Sequence, residues 1–215
     1  MMNRDMLGDV TEKSAEARGR SNVYRLLAMF YLREASPELL AGLRSKEMTD
    51  ALKGLDIDTG YAFPVISEDV LLSDLAEEYA ALFVIPGGIS PYESVRLKGL
   101  LEQEPSWEVE EYYKKCGLLV KEGSSLFPDH IGMELEFMGY LADKESYACS
   151  ESDSESALKW HNFQKEFFDN HISKWVFGFL RDFDRYAFHP FYKEVARLTR
   201  KFLEVEQDYF ERNEA

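Results

Sequence analysis

The sequence predicts an all-α fold: a single-domain helix bundle of about eight to ten helices spanning residues 1–215. Three observations predict it. Apolar residues recur at three- and four-residue intervals through most of the chain, as in Ile131, Leu135, Met138 and Ala142. Serine, aspartate and proline punctuate the starts of these periodic stretches, and glycine their ends. No alternating apolar–polar run bounded by turns competes with the helical pattern, and no internal repeat is evident.

Taken in order, the first helix carries Val23, Leu26, Leu27 and Phe30 on one side between Ser21 and Tyr31. Ser36-Pro37-Glu38 is a strong start, a capping serine followed by proline in the first turn. Ser67 opens a helix through Phe83, with Val70, Leu71, Leu75 and Tyr79 apolar and Asp74, Glu77 and Glu78 outward. Pro86 to Tyr92 is a loop, whose two glycines and two prolines exclude helix and allow close backbone approach to a ligand. Ser94, or Ser90 ahead of Pro91, starts a short helix beyond it. Ser106 is a candidate cap for Trp107–Cys116, with Gly117 as the stop. Pro128 ends the preceding segment, and Asp129 is a candidate N-cap for a helix from Ile131 to about Tyr147. Asp143 to Ser156 holds five acidic residues, five serines and one lysine, the composition of a solvated, mobile connection. A long aromatic-rich helix follows from Ala157 to Phe183. Pro190 begins the last helix, which runs to about Phe210. A hinge at the acidic connection would let the C-terminal helices exchange between protomers, so a domain-swapped homodimer stands beside the monomer as an expectation.

Composition narrows the function classes. The chain has 215 residues, 45% of them hydrophobic, and a net charge of −15. With a pI near 4.7, its surface repels phosphate backbones, which argues against nucleic-acid binding and favours basic partners. No apolar run approaches the ~20 residues of a membrane span, so no direct membrane insertion is expected. The polar Met1–Arg20 stretch lacks the apolar core of a secretory signal, and Arg18-Gly19-Arg20 is not a twin-arginine pair. A cytoplasmic protein is expected. Cys116 and Cys149 form no close pair, which suits free thiols in a reducing compartment.

Motifs for enzyme chemistry are sparse. There is no phosphate-binding loop and no nucleophile elbow. None of the four histidines has an acidic residue three positions earlier, as di-iron bundles require. His130 and Glu134 share a helix face as an i, i+4 pair, but two ligands do not make a metal site. No resident cofactor and no catalytic group are expected. His130 faces the positive end of a helix dipole, which favours neutral imidazole. Two readings stand for it and for Asp129: structural residues that cap the helix and lock the Pro86–Ser94 loop, or contacts to a partner. Tyr92, Glu93 and Ser94 likewise read either as an aromatic face with an arginine-accepting carboxylate or as an ordinary helix start.

Phe127-Pro128-Asp129-His130-Ile131-Gly132, followed by a Leu/Met-rich helix, resembles a motif of the TorD/DmsD family of cytoplasmic chaperones, which mature molybdenum-containing redox enzymes. A second segment, Glu78 to Val95, is similar to that family's Tyr-x-x-Leu-Phe helix end, Pro-Gly loop and Pro-aromatic-x-Ser run. His189-Pro190-Phe191-Tyr192 at the last helix is a weaker match. Together the matches run from about Glu78 to Phe202. One departure is that Leu126 and Phe127 stand where many members carry Glu and Pro.

The resemblance implies a chaperone without catalysis, binding the precursor of a molybdopterin oxidoreductase catalytic subunit through its twin-arginine signal peptide. It implies client contacts at Phe83, Pro86, Gly87, Tyr92, Glu93, Ser94, Pro128, Asp129, His130 and Glu134, in a groove between the Pro86–Ser94 loop and the Pro128–Glu134 turn. The competing classes are a small-molecule enzyme, namely a nucleotide or metal-dependent hydrolase on a helical bundle, and a structural adaptor that stays in a complex.

Overall fold

A computed structural model describes residues 4–46, 48–50 and 67–212; Met1–Asn3 of the N-terminal stretch lie outside the described residues. Among them are nine α-helices and no strand. They are α1 (Arg4–Leu32), α2 (Pro37–Leu43), α3 (Glu68–Tyr79), α4 (Glu93–Lys98), α5 (Glu104–Lys115), α6 (Ile131–Ser150), α7 (Ser154–Phe167), α8 (Ser173–Tyr186) and α9 (Pro190–Arg212). Two π-helical turns, Ala80–Val84 and Phe168–Ile172, extend α3 and join α7 to α8. The all-α expectation and the helix number agree with this. No described helix is long and apolar enough to cross a membrane.

The residues fall into two compact units. The first comprises Met1–Met29 and Tyr92–Trp175, the second Phe30–Pro91 and Val176–Ala215.

In the first unit, α6 and α7 pack along each other. A close approach to α1 occurs at Gly139, where an added Cβ would meet Arg25 Cγ at 3.0 Å and Ser21 O at 3.3 Å. Ser21 Oγ donates to the Gly139 carbonyl at 2.7 Å. The acidic stretch expected as a mobile connection is instead mostly helix: α6 continues through Ser150, and only Glu151–Asp153 link it to α7. The reason is pairing. Glu145 is buried, 3.2 Å from the Arg20 guanidinium, and accepts from Gln164 Nε2 at 2.8 Å. Burial alone would raise its carboxyl, but bonds from His161 and Gln164 and the Arg20 charge bring it below the ordinary value. Asp143 meets Arg18 and Arg25. Asp153 then caps α7 by accepting from Ser156 N–H at 3.0 Å.

The start of α5 also differs from expectation. Pro105 sits in its first turn after Gln103, and Ser106 is buried within the helix rather than capping it. Its end is as expected. Gly117 takes φ 74°, Gly117 N–H bonds Lys114 O and Leu118 N–H bonds Tyr113 O, the paired bonds of a Schellman stop. Neither Cys116 nor Cys149 is in a disulfide among the described residues, and each is part-buried.

In the second unit, Ser36 Oγ accepts from Leu39 N–H at 3.2 Å, as the Ser-Pro-Glu start of α2 predicts. Tyr31, Phe179, Phe183 and Tyr192 form an aromatic core. Their hydroxyls are used: Tyr31 Oη pairs with Thr199 Oγ1 at 2.7 Å, and Tyr192 Oη donates to Leu75 O at 3.1 Å. The Glu78 carboxylate accepts from both Phe188 and His189 N–H, tying α3 to the start of α9.

Candidate functional site

The Pro128–Glu134 segment belongs to the first unit. Its backbone pairs with the start of α4 through an isolated antiparallel bridge between Tyr92 and His130. Two helix starts thereby meet, and each takes its cap from an unexpected place. His130, not Asp129, is the N-cap of α6: its Nδ1 accepts from Gly132 N–H at 3.1 Å. Asp129 faces the other way and caps α4. Its Oδ2 accepts from Ser94 N–H at 2.8 Å and its backbone oxygen from Glu93 N–H at 3.0 Å. Neither Ser90 nor Ser94 caps α4; Tyr92 occupies the cap position and the missing acceptor comes from Asp129. A single-sequence reading assigns a capping residue to the helix that follows it, and here the chain crosses to a second helix.

Around this joint the residues are buried. Asp129, Glu134 and Ser94 are 0% exposed, Glu93 is 1% and His130 is 2%. Tyr92 and Pro128 are half-buried. The Tyr92 ring stands edge-on to His130 at 5.0 Å and to Phe127 at 5.9 Å. Tyr113 Oη donates to the Pro128 carbonyl at 2.8 Å and fixes the turn.

Three carboxyl groups share this interior. Glu93 Oε2 lies 2.9 Å from His171 Nδ1, which donates to it when that nitrogen carries the proton. Glu134 Oε2 accepts from Trp175 Nε1 at 3.1 Å. Burial first, then the neighbouring Glu93 and Asp129 charges, holds the Glu134 carboxyl well above the ordinary value, so its protonated form is favoured. Glu134 Oε1 is buried with no hydrogen-bond partner. The Tyr113 hydroxyl is also raised, by burial and then by Glu134, Asp129, Glu136 and Glu93. Burial lowers His130 from 6.5 to about 4 against the opposing charge of Asp129. The imidazole is therefore neutral, with its Nδ1 lone pair given to Gly132, as the helix-start argument anticipates.

This chemistry is that of a fixed polar joint. Asp129 Oδ2 and His130 Nδ1 each accept from a backbone N–H, Glu93 and Glu134 each meet a ring nitrogen, and Asp129 Oδ1 and Glu134 Oε1 have no hydrogen-bond partner. Among the described residues no group of three or more His, Cys, Asp or Glu side chains is arranged to hold a metal.

The ten residues the sequence singles out are divided between the two units. Tyr92, Glu93, Ser94, Pro128, Asp129, His130 and Glu134 come together in the first unit, five of them beneath its surface. Phe83, Pro86 and Gly87 belong to the second unit. There Phe83 packs against Tyr31, Tyr79 and Phe183 with ring centroids 5.2–6.2 Å apart. Pro86 and Gly87 are exposed. The loop's glycines serve its own turn: a Cβ on Gly88 would fall 2.3 Å from Leu82 O, and Ile89 N–H returns to that same carbonyl at 2.8 Å. Tyr113, His171 and Trp175 belong to the joint and were not singled out. Trp175 and His171 read as members of an aromatic core helix, and only the rule that a buried indole N–H needs an acceptor pointed to a carboxylate partner.

A family model described as nitrate reductase delta subunit matches residues 36–181. The chain belongs to the nitrate reductase delta subunit family. The chain is also similar to the chaperone protein TorD of Vibrio parahaemolyticus, 25% identical over 205 residues, which cover 88% of this chain and 94% of the relative. TorD of Vibrio atlanticus is 26% identical with the same coverage of each. TorD of Shewanella pealeana is 24% identical over 212 residues, covering 89% of this chain and 90% of its own. A solved structure from Archaeoglobus fulgidus, assigned to redox enzyme maturation, is 24% identical with a TM-score of 0.42, covering 68% of this chain and 91% of its own. The match to the delta subunit family takes in α2 to α7, and with them the whole Asp129–His130 joint.

Proposed function

We propose that this delta-subunit-family protein is a chaperone for a molybdopterin oxidoreductase. It binds the apo precursor of the catalytic subunit in the cytoplasm, through the precursor's signal peptide, and assists cofactor insertion, assembly or export. The observation that carries the reading is full-length similarity to named chaperones, which cover about nine-tenths of both chains. The whole chain acts as one chaperone domain, as a monomer or a homodimer, and has no catalytic step of its own.

The acidic composition supports the same reading. A net charge of −15 steers a basic leader to the protein, and apolar burial then supplies most of the affinity. Tyr92 and Pro128 meet the client at the surface. Asp129, His130, Glu93, Ser94 and Glu134 act as positioning residues behind them, and Pro86 and Gly87 offer exposed backbone in the second unit. Phe83 supports that loop from the aromatic cluster of its unit.

A tagged pull-down from the native cytoplasm at low salt, read by mass spectrometry, tests the reading. Recovery of a molybdoenzyme precursor, diminished by raised salt, is expected. Recovery of no such enzyme, together with a tightly held nucleotide or metal, would replace it with the hydrolase reading.

A further inference from the structure

Next to the buried joint, the surface of the first unit opens into a pocket of about 250 Å³. Its apolar lining includes Trp107 on α5, Val120, Phe127 and Pro128. The last two are the residues that lead directly into Asp129. Their position is fixed from behind, by Tyr113 Oη on the Pro128 carbonyl and by the Tyr92 ring against Phe127. Trp107 is 60% exposed, an unusual state for the largest apolar side chain and one common at binding hot spots.

Charge completes the picture. Glu102 and Glu110 also line the pocket, against a single basic lining residue, Lys121. The stretch 100–128 carries six glutamates and three lysines. Glu110 is held only by an exposed pair with Lys114 at 3.2 Å, and such a pair exchanges at little cost. The volume is below the ~300–1,000 Å³ of typical small-molecule sites and suits one or two inserted side chains.

We propose that this pocket seats the client leader: an apolar side chain of the leader packs against Trp107, and a neighbouring arginine pairs with Glu102 and Glu110. This rests on the chaperone reading and names its surface. The Asp129–His130 joint contributes by holding the Phe127–Pro128 wall and touches no client atom.

The probe is a synthetic peptide with two adjacent arginines followed by an apolar helical stretch, compared with the same peptide carrying glutamine at both arginine positions. Binding is followed by tryptophan emission and by calorimetry. Wild type should show a blue shift on binding. Trp107→Phe should keep the affinity and lose most of that shift, because the exposed indole is the reporter. Trp107→Ala, at a site exposed enough to leave melting unchanged, should weaken binding by at least ~10-fold. Glu102→Gln with Glu110→Gln should bring the arginine peptide down to the affinity of its glutamine counterpart and flatten the salt dependence.

Unchanged binding by Trp107→Ala would overturn the pocket while leaving the chaperone reading intact. Failure of wild type to bind the peptide would overturn this proposal, and the pull-down would then decide the chaperone reading separately. A wild-type dimer that Trp107→Ala dissociates would assign the face to a second copy of the chain and overturn it too.

Discussion

Acidification should unfold this protein partly through His130. In the folded chain burial holds the imidazole at about 4, while an unfolded chain returns it to 6.5. The unfolded state therefore binds more protons between these values, and stability falls as pH falls through that window. The contribution is fully present above pH 6.5. At about 1.4 kcal/mol per unit, the gap of 2.5 units amounts to roughly 3 kcal/mol by pH 4, and about 2 kcal/mol is already lost at pH 5. Glu134 titrates with the opposite sign, because its folded value is raised, so the wild-type curve alone mixes the two. His130→Asn separates them. The asparagine oxygen can still accept from Gly132 N–H as an N-cap, but it cannot take up a proton. Urea unfolding of both proteins between pH 7.5 and 4.5 provides the assay. The expected result is a difference that favours wild type at neutral pH, where the ring packs on Tyr92, and shifts towards the variant by about 2 kcal/mol on reaching pH 5. A difference independent of pH would mean that the folded His130 titrates normally and that burial does not hold it neutral.

Three further outcomes are expected. Glu134→Gln should leave stability near neutral at acidic pH and exceed wild type increasingly as pH rises, since a raised carboxyl stabilises less with each unit above 4.5; alkaline urea curves test this. Gly88→Ala should cost about 2–3 kcal/mol because its Cβ would strike the Leu82 and Ala81 carbonyls, whereas Gly87→Ala, with open space at φ 100°, should cost about 1 kcal/mol; melting of the two variants separates them. Arg20→Ala should cost about 3 kcal/mol by leaving Glu145 buried without its charge partner, and the loss should persist in high salt; a loss that vanishes with salt would place the pair at the surface.

The fold was legible where the signals are local. Ser36 before Pro37, Gly117 after α5 and Pro190 at α9 each announce an element from neighbouring residues alone, and the structure honours all three. Two of the misreadings share a cause, a partner distant in sequence. Asp143–Ser156 has the composition of a solvated linker, yet Arg20 lies more than a hundred residues upstream and turns Glu145 into a core residue. Asp129 has the composition of a local cap, yet the donor it serves is Ser94, 35 residues upstream.

That pattern bears on what the Asp-His motif is for. A residue that contacts a client must reach the surface, and Asp129 and His130 are almost wholly enclosed. Their bonds instead fix where two helices begin, and between them fix the turn that presents Phe127 and Pro128. Changing either residue should therefore disturb stability and client binding together, whereas Trp107, exposed on the neighbouring helix, should affect binding alone. Two variants that both abolish binding would then differ in a melting curve, and that difference separates a residue that shapes the surface from one that belongs to it.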